Sequence, residues 1–249
     1  MVVGSTSTAK SDFMKPELTI VLPAYREEAT IEVCLHRLVK LLDDKGISFE
    51  ARVVVDGPGD QTASMVRAFP DSRVSVIELE RNTGKGFAVR RGFEDCTTEF
   101  IGFIDADLDL HPEGLAIALD LLKSSGPQVG GAIGSKVHPK SNVEYPLSRR
   151  VISSVYKKFV KIGFSLDLND TQTGLKVFRS EAIDKVLPTL KCNGFEFDLE
   201  LLCKLASNGF LFIEIPVDLD YKFKSTVNIR TGIKALVSTF WLAIYLRRN

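Results

Sequence analysis

Phe103-Ile104-Asp105-Ala106-Asp107-Leu108-Asp109-Leu110-His111-Pro112-Glu113 is the stretch on which the reading of this chain turns. The apolar run from Phe100 to Ile104 reads as a buried strand. It delivers three acids, Asp105, Asp107 and Asp109, at alternate positions where the strand is expected to end, and Pro112 then opens a helix. Carboxylates crowded at a strand end repel one another, so a purely structural role explains them poorly. A hard divalent cation, Mg2+ or Mn2+, relieves that repulsion, and its usual companion is a diphosphate. The stretch therefore points to metal-assisted chemistry on a nucleotide diphosphate. A solvated acidic turn ahead of the helix is the plainer alternative.

Working outward, strand-like and helix-like segments alternate. Leu18 to Leu22 reads as a strand ending at Pro23, Glu27 to Leu42 as a helix with Ile31, Leu35, Leu38 and Leu42 on one face, and Arg52 to Val55 as the next strand. A helix at Thr62 to Phe69, a strand at Val74 to Leu79 and a helix at Gly84 to Cys96 lead to Phe100. Repeated β-α-β with short loops predicts a mostly parallel, Rossmann-like sheet with helices on both faces. Ligands of such sheets lie outside the carboxyl ends of the strands, so Tyr25, Asp56 and the acid cluster are expected on one edge. The second half predicts strands at Val129 to Ile133, Gly174 to Phe178, Phe210 to Ile215 and Val217 to Phe223, with helices at Leu147 to Ile162 and Glu196 to Ala206.

The 249 residues, 45% hydrophobic and 26% charged, suit one domain. Residues 1–16 read as a disordered tail with no apolar leader, 17–226 as the folded domain and 227–249 as a terminal helix. Its apolar part, Ile233 to Leu246, is too short to span a bilayer and serves either as a core helix or as an interfacial helix on a membrane. With 32 basic and 32 acidic side chains there is no global field for nucleic acid, and none is expected as a partner. Cys34, Cys96, Cys192 and Cys203 lack zinc or C-x-x-C spacing and read as reduced packing residues of a cytosolic protein.

The ordered set Leu22-Pro23-Ala24-Tyr25-Arg26-Glu27, Val54-Val55-Asp56-Gly57, Asn82-Thr83-Gly84-Lys85-Gly86 and Asp105-Ala106-Asp107 resembles the inverting family-2 glycosyltransferases of GT-A fold. Asp170-Thr171-Gln172-Thr173-Gly174-Leu175-Lys176-Val177-Phe178 and Gly194-Phe195-Glu196-Phe197-Asp198-Leu199-Glu200 narrow the likeness to the polyprenyl-phosphate hexose synthases, dolichol-phosphate mannose and dolichyl-phosphate glucose synthases among them. The resemblance implies a nucleotide diphosphate sugar donor, UDP-glucose or GDP-mannose, and a polyprenyl phosphate acceptor. It implies work at the cytoplasmic face of a membrane, as a peripheral or cytoplasmic protein, with an anchoring partner or a second copy.

The same resemblance assigns residues. Pro23, Tyr25, Glu27, Asp56, Asn82, Lys85, Asp105 and Ala106 are implied for the nucleotide sugar, and Asp105, Asp107 and Asp109 for the metal. Arg149, Arg150 and Lys176 are implied for the acceptor phosphate, and Asp107, Arg149 and Asp170 for catalysis. The residues themselves leave simpler alternatives open. Tyr25 and Glu27 also suit a turn and a helix start, Asp170 a turn cap, and Glu196 and Asp198 an acidic helix N-terminus. A phosphate monoester is ionised near neutral pH and needs no base, whereas a hydroxyl acceptor would require one from Asp170, Glu196 or Asp198. That hydroxyl transfer, and a non-catalytic nucleotide-sugar sensor, are the alternatives.

Overall fold

The computed structural model describes residues 15–141, 166 and 168–219. The expected helix Leu147 to Ile162 with Arg149 and Arg150, the apolar segment Ile233 to Leu246 and most of the tail lie outside the described residues.

Seven strands form one sheet: β1 (Leu18–Ala24), β2 (Phe49–Val55), β3 (Val74–Glu78), β4 (Phe100–Ile104), β5 (Val129–Ser135), β6 (Leu175–Arg179) and β7 (Leu211–Pro216), in the order β3-β2-β1-β4-β6-β5-β7. All neighbours are parallel except that β6 runs antiparallel to both β4 and β5. Six helices accompany them among the described residues: α1 (Ile31–Asp44), α2 (Thr62–Ala68), α3 (Lys85–Phe93), α4 (Glu113–Ser124), α5 (Ser180–Val186) and α6 (Phe197–Ser207). α1 starts four residues later than its periodicity predicts. The carbonyl of Glu27 accepts from the N–H groups of both Thr30 and Ile31, which makes 28–30 a turn leading into the helix.

Strand alternation sorts the apolar side chains into two cores. Phe100 and Ile104 of β4 face one, with α1, α2 and α4; Ile101 and Phe103 face the other, with α3, α5 and α6. Helices therefore cover both faces. The strand order reverses between β1 and β4, where such sheets open a crevice at the carboxyl ends. Register pairing of β1 with β4 stops at Val21, so Pro23, which has no N–H, stands beyond that ladder.

Candidate active site

The acids emerge at this reversal point. Asp105, Asp107 and Asp109 are half-buried, while Ala106, Leu108 and Leu110 between them are anchored in the α1–α4 core. Leu108 adopts a left-handed conformation with φ 63°, a costly geometry for a branched side chain that fixes the turn after Asp107. The Asp109 N–H donates to Asp107 Oδ1 at 3.1 Å. Burial, then Asp105, Asp109 and Glu27 nearby, push the Asp107 carboxyl up to about 6. Burial also raises Glu27, with Asp60, Asp105 and Asp109 adding to it against a hydrogen bond from the Thr30 hydroxyl. The Cys34 thiol beside these groups is pushed up to about 12 by burial and then by Asp107 and Glu27, which makes it a packing group and no nucleophile.

Asp105 has a built-in counter-ion. The Lys85 ammonium lies 2.5 Å from Asp105 Oδ1, and although burial opposes its charge, Asp105, Asp198 and Asp107 hold its pKa above the ordinary value. The Asp105 N–H donates to the Gly174 carbonyl at 2.9 Å, and the Asp105 carboxylate occupies the space a side chain at 174 would need. Gly174→Ala must therefore displace that carboxylate. Once activity is measurable, kcat/KM for the variant is expected to fall about 10²-fold, since a misplacement of about 1 Å costs that much.

Several implied residues hold the loops of the site together instead of facing a ligand. Asp56 is buried, and its two carboxylate oxygens accept from the N–H groups of Thr83 at 2.7 Å and Gly84 at 2.8 Å. This clamp positions the 82–84 turn at the end of β2, where the base or ribose contact is implied for Asp56. The glycines of Gly84-Lys85-Gly86 admit backbone. Gly84, at φ 111°, and Gly86 pack on the 192–194 segment, and the Asn193 carbonyl caps α3 by accepting from Gly86 and Phe87 N–H. Asp170 accepts from the N–H groups of Lys136, Gln172 and Thr173 and from the Thr173 hydroxyl. It caps the turn of the 170–173 loop and ties it to the end of β5.

Lys176 is fully buried. Its ammonium donates to the Thr173 carbonyl at 2.6 Å and to Asp198 Oδ1 at 2.5 Å, with Asp198 equally out of reach of solvent. The acceptor-phosphate role implied for Lys176 is thus replaced by an internal ion pair, and the sugar-hydroxyl role considered for Asp198 goes with it. The Lys85 and Lys176 ammonium groups both lie near the Phe103 ring, at 5.4 and 5.1 Å from its centre. Sequence reasoning missed this paired network, because Lys176 and its acid are 22 residues apart. Glu196 accepts from the Gly194 N–H, and Glu200, fully buried, accepts from Lys191 and Cys192 N–H; both stiffen the segment that caps α3.

Tyr25 is exposed beside Arg26, whose guanidinium lies 5.3 Å from its ring centre, and Pro23 and Glu27 flank it at the end of β1. Asn82 is exposed on the clamped turn. His111 Nδ1 accepts from Glu113 N–H, a turn role. Among the described residues no group of three or more His, Cys, Asp or Glu side chains is arranged to hold a metal ion. The ligand set Asp105, Asp107 and Asp109 is therefore not a preformed cage: Lys85 already neutralises Asp105, and the chain turns at Leu108 between Asp107 and Asp109. The edge instead fits Mg2+ or Mn2+ held by one or two carboxylates and completed by donor phosphates, the usual economy for these ions. Burial first and then the crowding of Asp105, Asp109 and Glu27 lift Asp107, and such a cation relieves the crowding.

Residues 19–187 match the model of glycosyl transferase family 2. The chain is 29% identical over 233 residues to glycosyltransferase AglD of Haloferax volcanii, covering 90% of this chain and 37% of that one. It is 27% identical to the dolichyl-phosphate beta-glucosyltransferase of Dictyostelium discoideum, over 81% of this chain and 65% of the relative. The mouse protein of the same name is 31% identical, over 75% and 62%. The chain thus spans less than two thirds of each of these relatives. Glucosyl-3-phosphoglycerate synthase of Mycobacterium tuberculosis, solved with Mn2+, UDP and its product, superposes with a TM-score of 0.65 at 18% identity, over 92% of this chain and 80% of that one. The likeness places the sheet in the GT-A fold.

Proposed function

The chain belongs to glycosyl transferase family 2, and on that premise we propose that it transfers a hexose from a nucleotide diphosphate sugar to a polyprenyl phosphate, with inversion at the anomeric carbon. The observation that carries the reading is the placement of Asp105 and Asp107 at the strand-order reversal, with Asp107 lifted by burial and then by its acidic neighbours, and Lys85 on Asp105. Relatives named dolichyl-phosphate beta-glucosyltransferase favour UDP-glucose over GDP-mannose as donor and a lipid phosphate as acceptor.

Each part of the site then has a task. Bound Mg2+ or Mn2+ supplies Lewis-acid stabilisation of the departing nucleoside diphosphate. Asp107, with Asp105, holds that cation. Lys85 sits where it neutralises Asp105 or a donor phosphate. Tyr25, Glu27 and Pro23 stand at the end of β1 for the nucleoside, and Asn82 lies on the turn that Asp56 holds. Asp170 is bonded on both oxygens, which suits an acceptor that needs no deprotonation. Arg149 and Arg150 are proposed to grip the acceptor phosphate, Arg by a bidentate fork. The site is proposed to work at the cytoplasmic membrane surface; no helix among the described residues is long and apolar enough to cross a membrane.

The test supplies radiolabelled UDP-glucose and GDP-mannose in parallel, with Mn2+ or Mg2+ and a polyprenyl phosphate in detergent. The expected result is label entering the lipid phase from UDP-glucose, in a β-linked product that EDTA suppresses. Label from GDP-mannose alone would correct the sugar. Transfer only to free sugars or glycolipids would overturn the lipid phosphate assignment.

A further inference from the structure

Five buried side-chain polar atoms among the described residues have no hydrogen-bond partner, and three of them belong to two adjoining segments: Ser135 Oγ, Thr171 Oγ1 and Gln172 Nε2. Ser135 is 0% exposed and Thr171 4%. The segments meet closely. The Lys136 N–H donates to Asp170 Oδ2 at 3.0 Å, and a Cβ at Gly134 would stand 3.0 Å from Thr173 Cγ2. Ser135 lies between these two contacts in the chain. Buried polar atoms in native proteins are paired, because an orphan loses its water and gains nothing. Three orphans at one junction call for a partner beyond the described residues.

Their position says where that partner lies. Thr171 and Gln172 lead through Thr173 into Gly174, whose backbone is packed against the Asp105 carboxylate. A nucleotide sugar whose diphosphate lay at Asp105 and Asp107 would carry its hexose on the terminal phosphate. Their chemistry says what the partner is. All three groups are neutral, two hydroxyls and an amide N–H, which together offer donors and an acceptor. A phosphate subsite would gather cations among its contact atoms, yet the three orphaned atoms are all neutral and Lys176, the cation at the end of this loop, is turned inward onto Thr173 and Asp198, which leaves Lys136 beside Ser135. Sugar hydroxyls, which donate and accept, match this set.

We infer that Ser135, Thr171 and Gln172 form a subsite that reads hydroxyl groups of the donor hexose. The loop is built to hold such a reader still. Asp170 fixes its start with bonds to Lys136, Gln172 and Thr173, Glu214 accepts from the Asn169 and Asp170 N–H groups, and Lys176 pins the Thr173 carbonyl. The inference rests on the nucleotide-sugar half of the proposed function and not on its lipid half.

The experiment titrates the full chain in Mn2+ with UDP and UDP-glucose, and with GDP and GDP-mannose. The wild type is expected to bind one nucleotide sugar more tightly than the matching nucleotide. Thr171→Val and Gln172→Met are each expected to weaken that nucleotide sugar about tenfold while leaving the nucleotide unchanged, since a site made to bond a hydroxyl loses most when the bond goes. Thr171→Val also removes a buried orphan, so its thermal midpoint is expected to hold or rise, which separates lost recognition from lost fold. Equal weakening of nucleotide and nucleotide sugar, or unchanged affinity for both, would overturn the subsite and leave ordered water as the partner. A wild type that shows the sugar increment but glycosylates no lipid phosphate would sink the acceptor reading alone.

Discussion

Asp107→Asn is expected to make the protein more stable in EDTA at pH 7.5 and to lower transfer by about 10²–10³-fold. Both effects come from one carboxyl. Its pKa in the fold is about 6, above the ordinary value near 3.9. Between those values the native state binds more protons than the unfolded chain. Stability therefore falls as pH rises from about 4 to about 6, and the whole penalty is present above that. Removing the charge is expected to return about 1–3 kcal/mol, the upper end being two pKa units and the lower allowing for the partial exposure of Asp107. The catalytic loss follows from removing a carboxylate proposed to hold the cation, whose charge stabilisation is worth several kcal/mol. Urea melts with and without Mn2+, beside the transfer assay, check the pair of outcomes. Wild type is expected to gain stability from Mn2+ with UDP and to lose that gain about tenfold in affinity per pH unit below 6, because only the ionised carboxylate ligates. A variant that loses stability in EDTA would contradict the charge penalty at Asp107, and one that keeps the Mn2+ response would place the cation elsewhere.

The same carboxyl shows why the fold was readable before the side-chain contacts were. Phe100 to Ile104 emerges as β4 with the bounds its apolar run predicts, because a strand buried on both faces needs unbroken hydrophobicity and announces itself. The alternation that carries Phe103 to one core also carries Asp105 to the same side, toward Lys85. The antiparallel setting of β6 was not legible, since a parallel and an antiparallel buried strand share one apolar pattern. Nor was α5, seven residues between β6 and a one-turn helix at Leu187–Thr189. Asp56 and Asp170 could not be sorted by type, because aspartate is as good a turn clamp as it is a ligand. What distinguishes them is which N–H groups face their oxygens, and those come from residues 27 to 34 positions away as well as from neighbours. The glycines around Lys85 were ambiguous in the same way, because a missing Cβ lets phosphate or backbone approach, and here the Asn193 carbonyl is what arrives.

Asp198→Ala is expected to be the most damaging single substitution away from the acid edge. It would leave the Lys176 ammonium buried beside the Phe103 ring, near the second cation Lys85, with the Thr173 carbonyl as its hydrogen-bond acceptor and Asp170 as the remaining opposing charge. Burial already lowers the Lys176 pKa, and Asp198 is the first charge that opposes this. Breaking one side of such a pair costs about 3–5 kcal/mol, far more than the pair contributes, because the partner's charge stays without compensation. Lys176→Met is expected to harm the protein by a similar route, leaving Asp198 alone at the N-terminal turn of α6, where the helix dipole offsets part of its charge. The double variant Lys176→Met, Asp198→Leu removes both charges and is expected to recover most of the loss. A double-mutant cycle by urea denaturation should then show strong coupling, whereas additive effects would mean that the two side chains are held independently. The double variant also separates stability from function. Its folded state lacks the ammonium that holds the Thr173 carbonyl, so the 170–174 loop loses a tether two residues from Thr171 and one from Gln172. If that loop orients the donor sugar, the recovered protein is expected to bind the nucleotide as before and the nucleotide sugar less well. The ion pair would then owe its place at the core to the loop it holds, since an apolar core would serve stability equally well.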